Sequence, residues 1–240
     1  MTSPDPREPR RASEPINPIS VIVGVGFVII ALLAALLVAF LRDLYSSETT
    51  ILPKEGRLEF AEKAFQSGDN EVAVKIFSAL AQKNNANAQY WLAHMTELGL
   101  GIPRNPTKAI ELYKKAAAQN VVAAELRLGE IYLHGDVVPP DFAQAKAYLK
   151  QAAYHGDARA AMLLGQMYRL GLGMSADSIE AYAWSEVASL EGSIFAKRER
   201  DASLGNLSAD KQHEAVARAS KILKGTLKNS SRQVATNLTR

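Results

Sequence analysis

The chain repeats itself at an interval of 36 residues, and this period constrains its fold more than any other feature. Equivalent alanines stand 36 residues apart in two series, Ala88, Ala124 and Ala160, and Ala109, Ala145 and Ala181. No insertion breaks the register. A unit of this length is one supersecondary element that cannot bury its own apolar face, so neighbouring units have to stack. The period therefore predicts a solenoid.

Each unit has the pattern of two helices joined by a glycine turn. In one unit Ala124, Leu128 and Tyr132 fall on one helical face. Gly135 follows, and glycine readily takes the left-handed conformation at a helix C-terminus. Asp141 then opens the second helix by capping free N–H groups. Equivalent glycines and caps in the neighbouring units are Gly99, Asn105, Gly171 and Asp177. The predicted fold class is all-α, an α-solenoid of helix pairs.

The solenoid is predicted to extend beyond the three most regular units. Asp69 and Ala73 precede Asn105 and Ala109 by 36 residues, so an earlier unit contains a second helix over 72–83 and a first helix over 58–66. A last helix from Ser208 carries an apolar face that closes the array, formed by Ala215, Val216, Ala219, Ile222 and Leu223. The predicted domain spans 57–228, with units 57–87, 88–120, 124–156 and 160–192, a C-terminal cap 193–228 and a loose basic tail 229–240.

The N-terminal part predicts a single membrane anchor. Residues 1–18 are rich in Pro, Ser and Arg and are expected to be disordered. Residues 21–41 carry no charge, and a helix of that length covers about 30 Å, the thickness of the hydrocarbon core. A cleaved signal peptide is the alternative, but no small-x-small site precedes Arg42. We therefore predict a transmembrane signal anchor over 19–42, followed by a linker over 43–56.

The orientation of the anchor rests on the charges that flank it. Arg7, Arg10 and Arg11 precede the helix, whereas a large domain following it translocates largely regardless of charge. We expect a single-pass inner-membrane protein with a periplasmic C-terminal domain. A cytoplasm-facing domain is the alternative.

The repeated pattern resembles the Sel1-like repeat family, which is related to tetratricopeptide repeats. The resemblance rests on Ala-x-x-x-Leu-Gly-x-x-Tyr-x-x-Gly, then Asp, then Ala-Ala-x-x-Gly, and is strongest over 124–156 and 160–192. Unit 88–120 departs from it at Ala93, in place of glycine, and at Thr96, in place of tyrosine. The resemblance implies a right-handed α-solenoid used for protein–protein contact. Bacterial members are often exported and assist envelope assembly, polysaccharide secretion or signalling.

The sequence contains no recognisable catalytic or metal-binding motif. There is no cysteine, which excludes disulfides and thiolate chemistry, and the histidines have no metal-type spacing. No phosphate-binding loop is present, and charges of both signs interleave along the repeats, so neither a nucleotide nor a nucleic acid is expected. We predict no enzyme activity, cofactor, metal or small-molecule substrate. A hidden carboxylate site of a cell-wall or polysaccharide enzyme is the alternative.

Helical periodicity predicts where a partner binds. In stacked helix pairs the first helices line the concave surface, and residues opposite the apolar stripe face the groove. The nine groove residues are Tyr90, His94, Glu97, Leu126, Glu130, Leu133, Met162, Gln166 and Arg169. Apolar residues mixed with charges are typical of interfaces. The predicted function is an anchored scaffold that binds a protein or peptide, with a membrane or envelope protein as the expected partner. A non-catalytic subunit or regulator of an envelope polysaccharide or cell-wall enzyme complex is the alternative.

Overall fold

The computed structural model describes residues 36, 56–190 and 194–238, with side chains described up to Asn229. The predicted tail 1–18, the anchor 19–42 apart from Leu36, and the linker as far as residue 55 lie outside the described residues. Within the described part of the chain, no helix combines the length and the apolar character that crossing a bilayer requires.

The described residues are helical, without a strand, and the helices follow one another in pairs. In chain order they are α1 (Gly56–Gln66), α2 (Asn70–Gln82), α3 (Ala86–Leu98), α4 (Pro106–Ala117), α5 (Val122–His134), α6 (Phe142–Tyr154), α7 (Ala158–Leu170), α8 (Ser178–Ser189), α9 (Ile194–Gly205) and α10 (Ala209–Leu238). The helices of the pairs α1–α2, α3–α4, α5–α6 and α7–α8 contact each other, successive pairs meet through α2–α3, α4–α5 and α6–α7, and α9 and α10 both pack on α8. This is the nearest-neighbour packing of a solenoid, and it confirms the predicted all-helical array.

The predicted helix ends are formed by the expected residues in three pairs. Gly99, Gly135 and Gly171 end α3, α5 and α7 in the left-handed conformation, with φ of 77°, 77° and 68°. The side chains of Asn105, Asp141 and Asp177 cap α4, α6 and α8 by accepting backbone N–H groups. These caps stabilise the helix N-termini, because the first backbone N–H groups of a helix have no hydrogen-bond partner inside it.

The predicted cap of α2 is different. Asp69 stands at the N-terminus of α2 but makes no capping hydrogen bond. Its carboxylate lies 3.3 Å from the hydroxyl of Ser67, in the tight turn through Gly68, and that hydroxyl also lies 3.0 Å from the carbonyl oxygen of Ala64. The extension of the capping series to Asp69 is therefore wrong in its chemistry, since the residue precedes α2 without capping it.

Small residues allow the two helices of each pair to approach closely. Ala109, Ala145 and Ala181 are fully buried, as their equivalent positions require. A Cβ atom on Gly165 of α7 would lie 2.6 Å from Ser185 Oγ and 3.2 Å from the carbonyl oxygen of Ala181 in α8. Glycine is therefore needed at this contact, while the equivalent Ala93 is accommodated in the earlier unit with no exposure.

The connections between units repeat a left-handed residue and a polar pair in which one member is buried. Asn84 and Asn120 have φ of 61° and 63°, which asparagine tolerates better than most residues. Gln119 Nε2 donates to Gln89 Oε1 at 2.8 Å. One unit later the same two positions hold His155 and Glu125, whose Nδ1 and Oε2 atoms lie 2.8 Å apart.

The last two helices close the array. Ala215, Ala219 and Ile222 of α10 are buried, whereas Val216, which we expected on the same face, is 48% exposed. α10 also continues to Leu238, where we expected a loose tail from residue 229. No proline or glycine follows Gly225 to end the helix, which explains its length.

Candidate partner-binding surface

The nine predicted groove residues lie on α3, α5 and α7, but they differ in exposure. Six are partly exposed and Arg169 is exposed. Glu97 and Glu130 are buried, with 5% and 7% of their surface accessible. Helical periodicity placed these two carboxylates on the open side of the helix, and it could not anticipate that neighbouring units would cover them. We call the nine residues together the first-helix surface.

The two buried carboxylates belong to a chain of ion pairs across three units. Arg127 of α5 pairs with Glu97 of α3 through two nitrogens, and its Nη1 donates to Glu130 Oε2 at 3.1 Å. Arg159 of α7 continues the chain, with Nη2 2.8 Å from Glu130 Oε1. That approach is an ion pair without regular hydrogen-bond geometry. The chain runs along the first-helix surface from α3 to α7.

Glu97 is held in its ionised form by its partners. Its carboxylate also accepts the phenol of Tyr113 at 2.9 Å. Burial opposes ionisation, but the hydrogen bonds from Arg127 and Tyr113 outweigh it and keep the pKa of Glu97 below its ordinary value. The pKa of Tyr113 is raised, first by burial and then by the adjacent carboxylate. Both carboxylate oxygens of Glu97 are thus bonded to Arg127, and one also to Tyr113, so the residue ties α3 to α4 and α5.

Aromatic rings form the N-terminal end of the first-helix surface. The rings of Tyr90 and His94 stack with centroids 6.3 Å apart and an interplanar angle of 6°. Trp91 packs on Phe65 and donates its indole N–H to Glu62 of α1 at 3.0 Å. Burial lowers the pKa of His94, and Arg127 lowers it further against the opposing effect of Glu97. A neutral imidazole beside a tyrosine is suited to stacking and hydrogen bonding.

Apolar side chains and a terminal ion pair complete the surface. Leu126, Leu133 and Met162 are partly buried and pack against the core, so only part of each side chain is presented outward. Arg169 of α7 pairs with Glu199 of α9, with 2.9 Å between Nε and Oε2. The structure thus brings the predicted residues onto one continuous row of helices.

A carboxylate bridges each pair of neighbouring helices in this row. The bridges are Glu62–Trp91 between α1 and α3, Glu97–Arg127 between α3 and α5, Glu130–Arg159 between α5 and α7, and Arg169–Glu199 between α7 and α9. Glu97–Arg127 combines a buried carboxylate with two hydrogen bonds, and such a pair fixes the register of packed helices, whereas the other three bridges each rest on one contact. Contacts between neighbouring helices are therefore present along the whole surface and are strongest between α3 and α5.

Arg127 and Arg159 were missed by the sequence reasoning. Periodicity selected one direction of each helix, and these arginines lie beside that direction rather than along it. A signal existed for Arg127, since it follows Trp91 by 36 residues. Trp91 and Arg127 each donate to a carboxylate on the preceding first helix. The equivalence of these two donors can be recognised only when their carboxylate acceptors are considered as well.

No group of His, Asp and Glu side chains within the described residues has the arrangement of a metal site. His94, His134, His155 and His213 lie on or next to different helices.

Comparison with known proteins shows what the repeats are similar to. A family model described as the Sel1 repeat matches residues 86–121, 122–157 and 158–193. The chain is similar to the solved structure of a Sel1 repeat protein from Oxalobacter formigenes, at 30% identity and a TM-score of 0.53 over 64% of each chain. Comparison with curated proteins gives no match.

A second solved structure supports the fold alone. It is c5321, a protective antigen present in uropathogenic Escherichia coli strains that displays an SLR fold, at 23% identity and a TM-score of 0.52. The match covers 81% of this chain and 50% of that one. The chain therefore spans 64% and 50% of the lengths of these two proteins. The three consecutive matches to the Sel1 repeat model span residues 86–193 and lie within an all-helical solenoid.

Proposed function

We propose that this chain is a non-catalytic scaffold that binds a protein or peptide on its first-helix surface. The observation that carries the proposal is the set of carboxylate bridges across every neighbouring pair of first helices. A surface that is already ordered loses less conformational entropy when it binds, so affinity is gained from preorganisation. Sel1 repeats mediate protein–protein interactions, which supports the same conclusion.

We assign two different roles to the nine residues, holding helices together and contacting a partner. The buried Glu97 and Glu130 hold neighbouring helices together and are poorly placed to contact a partner. Tyr90, His94 and Met162 keep exposed surface over a packed base. Aromatic and methionine side chains of this kind are enriched in interfaces. We assign partner contact to these residues, together with Leu126, Leu133 and Gln166.

The anchor and its orientation form the second part of the proposal. The uncharged stretch 21–41 supports insertion in the inner membrane, and the preceding arginines support a periplasmic solenoid. The partner would then be a membrane or envelope protein. Reporter fusions at the C-terminus, one active only in the cytoplasm and one only outside it, test this topology. Activity of the cytoplasmic reporter alone would instead assign the chain to a cytoplasm-facing adaptor.

Affinity capture with the full chain tests the binding surface. Tyr90→Asp, Leu126→Asp and Met162→Asp, made singly, should each reduce recovery of the partner because they place a charge on the contact area. Val72→Asp and Val216→Asp are controls, since both residues are exposed apolar positions on α2 and α10. Circular dichroism establishes that each variant is folded. Equal recovery with folded surface and control variants would refute the assignment.

A further inference from the structure

The groove between α6 and α8 is filled by a helix of the chain itself. α10 packs on α8 and reaches α6, where a Cβ on Gly225 would lie 3.3 Å from the ring of Tyr154. A cavity of about 300 Å³ remains beside this contact. Its wall includes Gly156, Val187 and Leu190 from the repeats. The molecule thus accepts an amphipathic helix against a second-helix groove.

The preceding groove, between α4 and α6, is an open cleft of about 590 Å³. Its lining includes Asn120, Gln151 and Tyr154. These residues precede Gly156, Val187 and Leu190 by 36 positions, so the two depressions are the same feature in successive units. α10 contributes Asn229 to the edge of the open cleft. We call this cleft the α4–α6 groove.

Charge distinguishes the two grooves. The acidic residues of α8 are Glu180 and Glu186, the helix contains no basic residue, and Arg218 of α10 pairs with Glu180. A helix that packs on α8 needs basic residues opposite these carboxylates, as α10 has in Arg218.

In α6 the signs are reversed, because the helix contains two lysines and no acidic residue. Lys150 lines the groove, and the acidic residue in the lining, Glu125, is 1% exposed and in contact with His155. A helix that packs on α6 needs acidic residues opposite the lysines.

Two lysines are placed on the walls of the α4–α6 groove. Lys114 of α4 lies over the ring of Tyr132, with 5.7 Å from Nζ to the centroid. Lys150 of α6 lies over the ring of Tyr154 at 5.9 Å. Ring contacts of this kind hold an ammonium group in place while it stays accessible to an anion. The small side chains of Ala117, Ala118 and Ala147 also line the groove and leave room for a packed helix.

We propose that the α4–α6 groove binds an acidic amphipathic helix of a partner protein, seated as α10 is seated in the next groove. Carboxylates on the edges of this helix pair with Lys114 and Lys150, and its apolar face covers the alanines between them. The groove is formed by second helices, whereas the function proposed above uses the first-helix surface. Each assignment therefore stands or fails by itself.

Fluorescence anisotropy with the full chain in detergent micelles tests this proposal. The probe is a fluorescein-labelled, 20-residue amphipathic helix of alanine, leucine and glutamate, compared with a peptide that has lysine in place of every glutamate. The acidic peptide should bind and the basic one should not. Lys114→Glu combined with Lys150→Glu should weaken binding about tenfold, because two exposed ion pairs become repulsions.

Matched variants separate groove binding from general charge attraction. Lys108→Glu combined with Lys211→Glu changes the net charge equally at exposed positions outside the groove, and should leave the affinity unchanged. Ala147→Trp fills the groove without changing charge and should abolish binding. Tyr90→Asp, on the first-helix surface, should have no effect on this peptide.

Several outcomes would overturn the proposal. They are equal binding of the acidic and basic peptides, equal loss in the two double variants, and full binding by Ala147→Trp. Vesicles containing phosphatidylglycerol are a further arm of the experiment. If Lys114 and Lys150 were needed for binding the vesicles while the acidic helix did not bind, the basic groove would recognise a lipid surface and not a helix.

Discussion

Glu125 and His155 occupy the positions that hold Gln89 and Gln119 one unit earlier, so an amide pair is replaced by an ionisable pair. Glu125 is 1% exposed, and burial raises its pKa, while the contact with His155 opposes the shift. In the earlier unit Gln89 Nε2 donates to Asn84 Oδ1 at 2.9 Å. Asn120 is equivalent to Asn84, so a glutamine at position 125 would find the same acceptor.

Glu125→Gln should therefore change the pH dependence of stability. Because the folded pKa of Glu125 is above its unfolded value of about 4.5, its contribution to stability is complete below that pH and is lost as pH rises through the folded pKa. Relative to the natural chain, the free energy of unfolding of the variant should therefore increase between pH 4 and pH 7. Urea midpoints measured at both pH values check this.

The control for this substitution is Glu59→Gln, which removes an exposed carboxylate paired with Lys63 at 2.9 Å. The hydrogen bond from Lys63 lowers the pKa of Glu59, so its contribution has the opposite sign and is lost as pH falls. A glutamine at position 125 that lost stability relative to the natural chain between pH 4 and pH 7 would contradict the interpretation of Glu125.

At the scale of the helix, close approach inside a pair determines which residues are allowed. Gly165 of α7 faces the backbone of α8, and the equivalent Gly129 of α5 faces Leu149 of α6. A methyl group at Gly165 meets a hydroxyl and backbone atoms of α8, and one at Gly129 meets the fully buried side chain and the backbone nitrogen of Leu149. Both pairs should therefore resist a larger residue at this position.

Gly165→Ala should lower the free energy of unfolding by about 1–3 kcal/mol, the usual cost of overpacking a tight contact. Gly205→Ala is the matched control, because a Cβ there would have no neighbour within 4 Å. Alanine has the better helix propensity, so the control should be neutral or slightly stabilising. Thermal unfolding followed by circular dichroism distinguishes them, and similar melting temperatures would contradict the close-contact explanation.

At the scale of the whole array, the stability of each helix pair depends mainly on the pairs next to it. α10 covers α8 and touches α6, while the earlier pairs are joined only through their own neighbours. In such an array, stability is close to a sum of unit and interface contributions. Loss of the C-terminal cap should therefore destabilise the last units first.

Ile222→Asp should detach α10, because it places a charge at a position that is 3% exposed. Hydrogen exchange should then accelerate in α8 and α10, with protection in α3 and α4 retained. Val216→Asp changes an exposed residue of the same helix and should leave the exchange pattern unchanged. Uniform loss of protection in Ile222→Asp would show that the array unfolds as a single cooperative unit.

The sequence by itself determined the repeat, the helix pairs and most of their ends. These features depend on local chemistry: glycine takes a left-handed turn, Asn and Asp cap N–H groups, and apolar residues recur on one helical face. The nine surface residues also fell on α3, α5 and α7, because periodicity defines a direction on a helix.

Only the tertiary structure decided which of those residues are accessible and what they contact. Glu97 and Glu130 became buried because arginines of the same and neighbouring units lie across them. The α4–α6 groove likewise exists because α10 fills one of two equivalent depressions and leaves the other open. The physical reason is distance along the chain: partners about 30 residues apart or more are brought together by stacking, which no local pattern encodes.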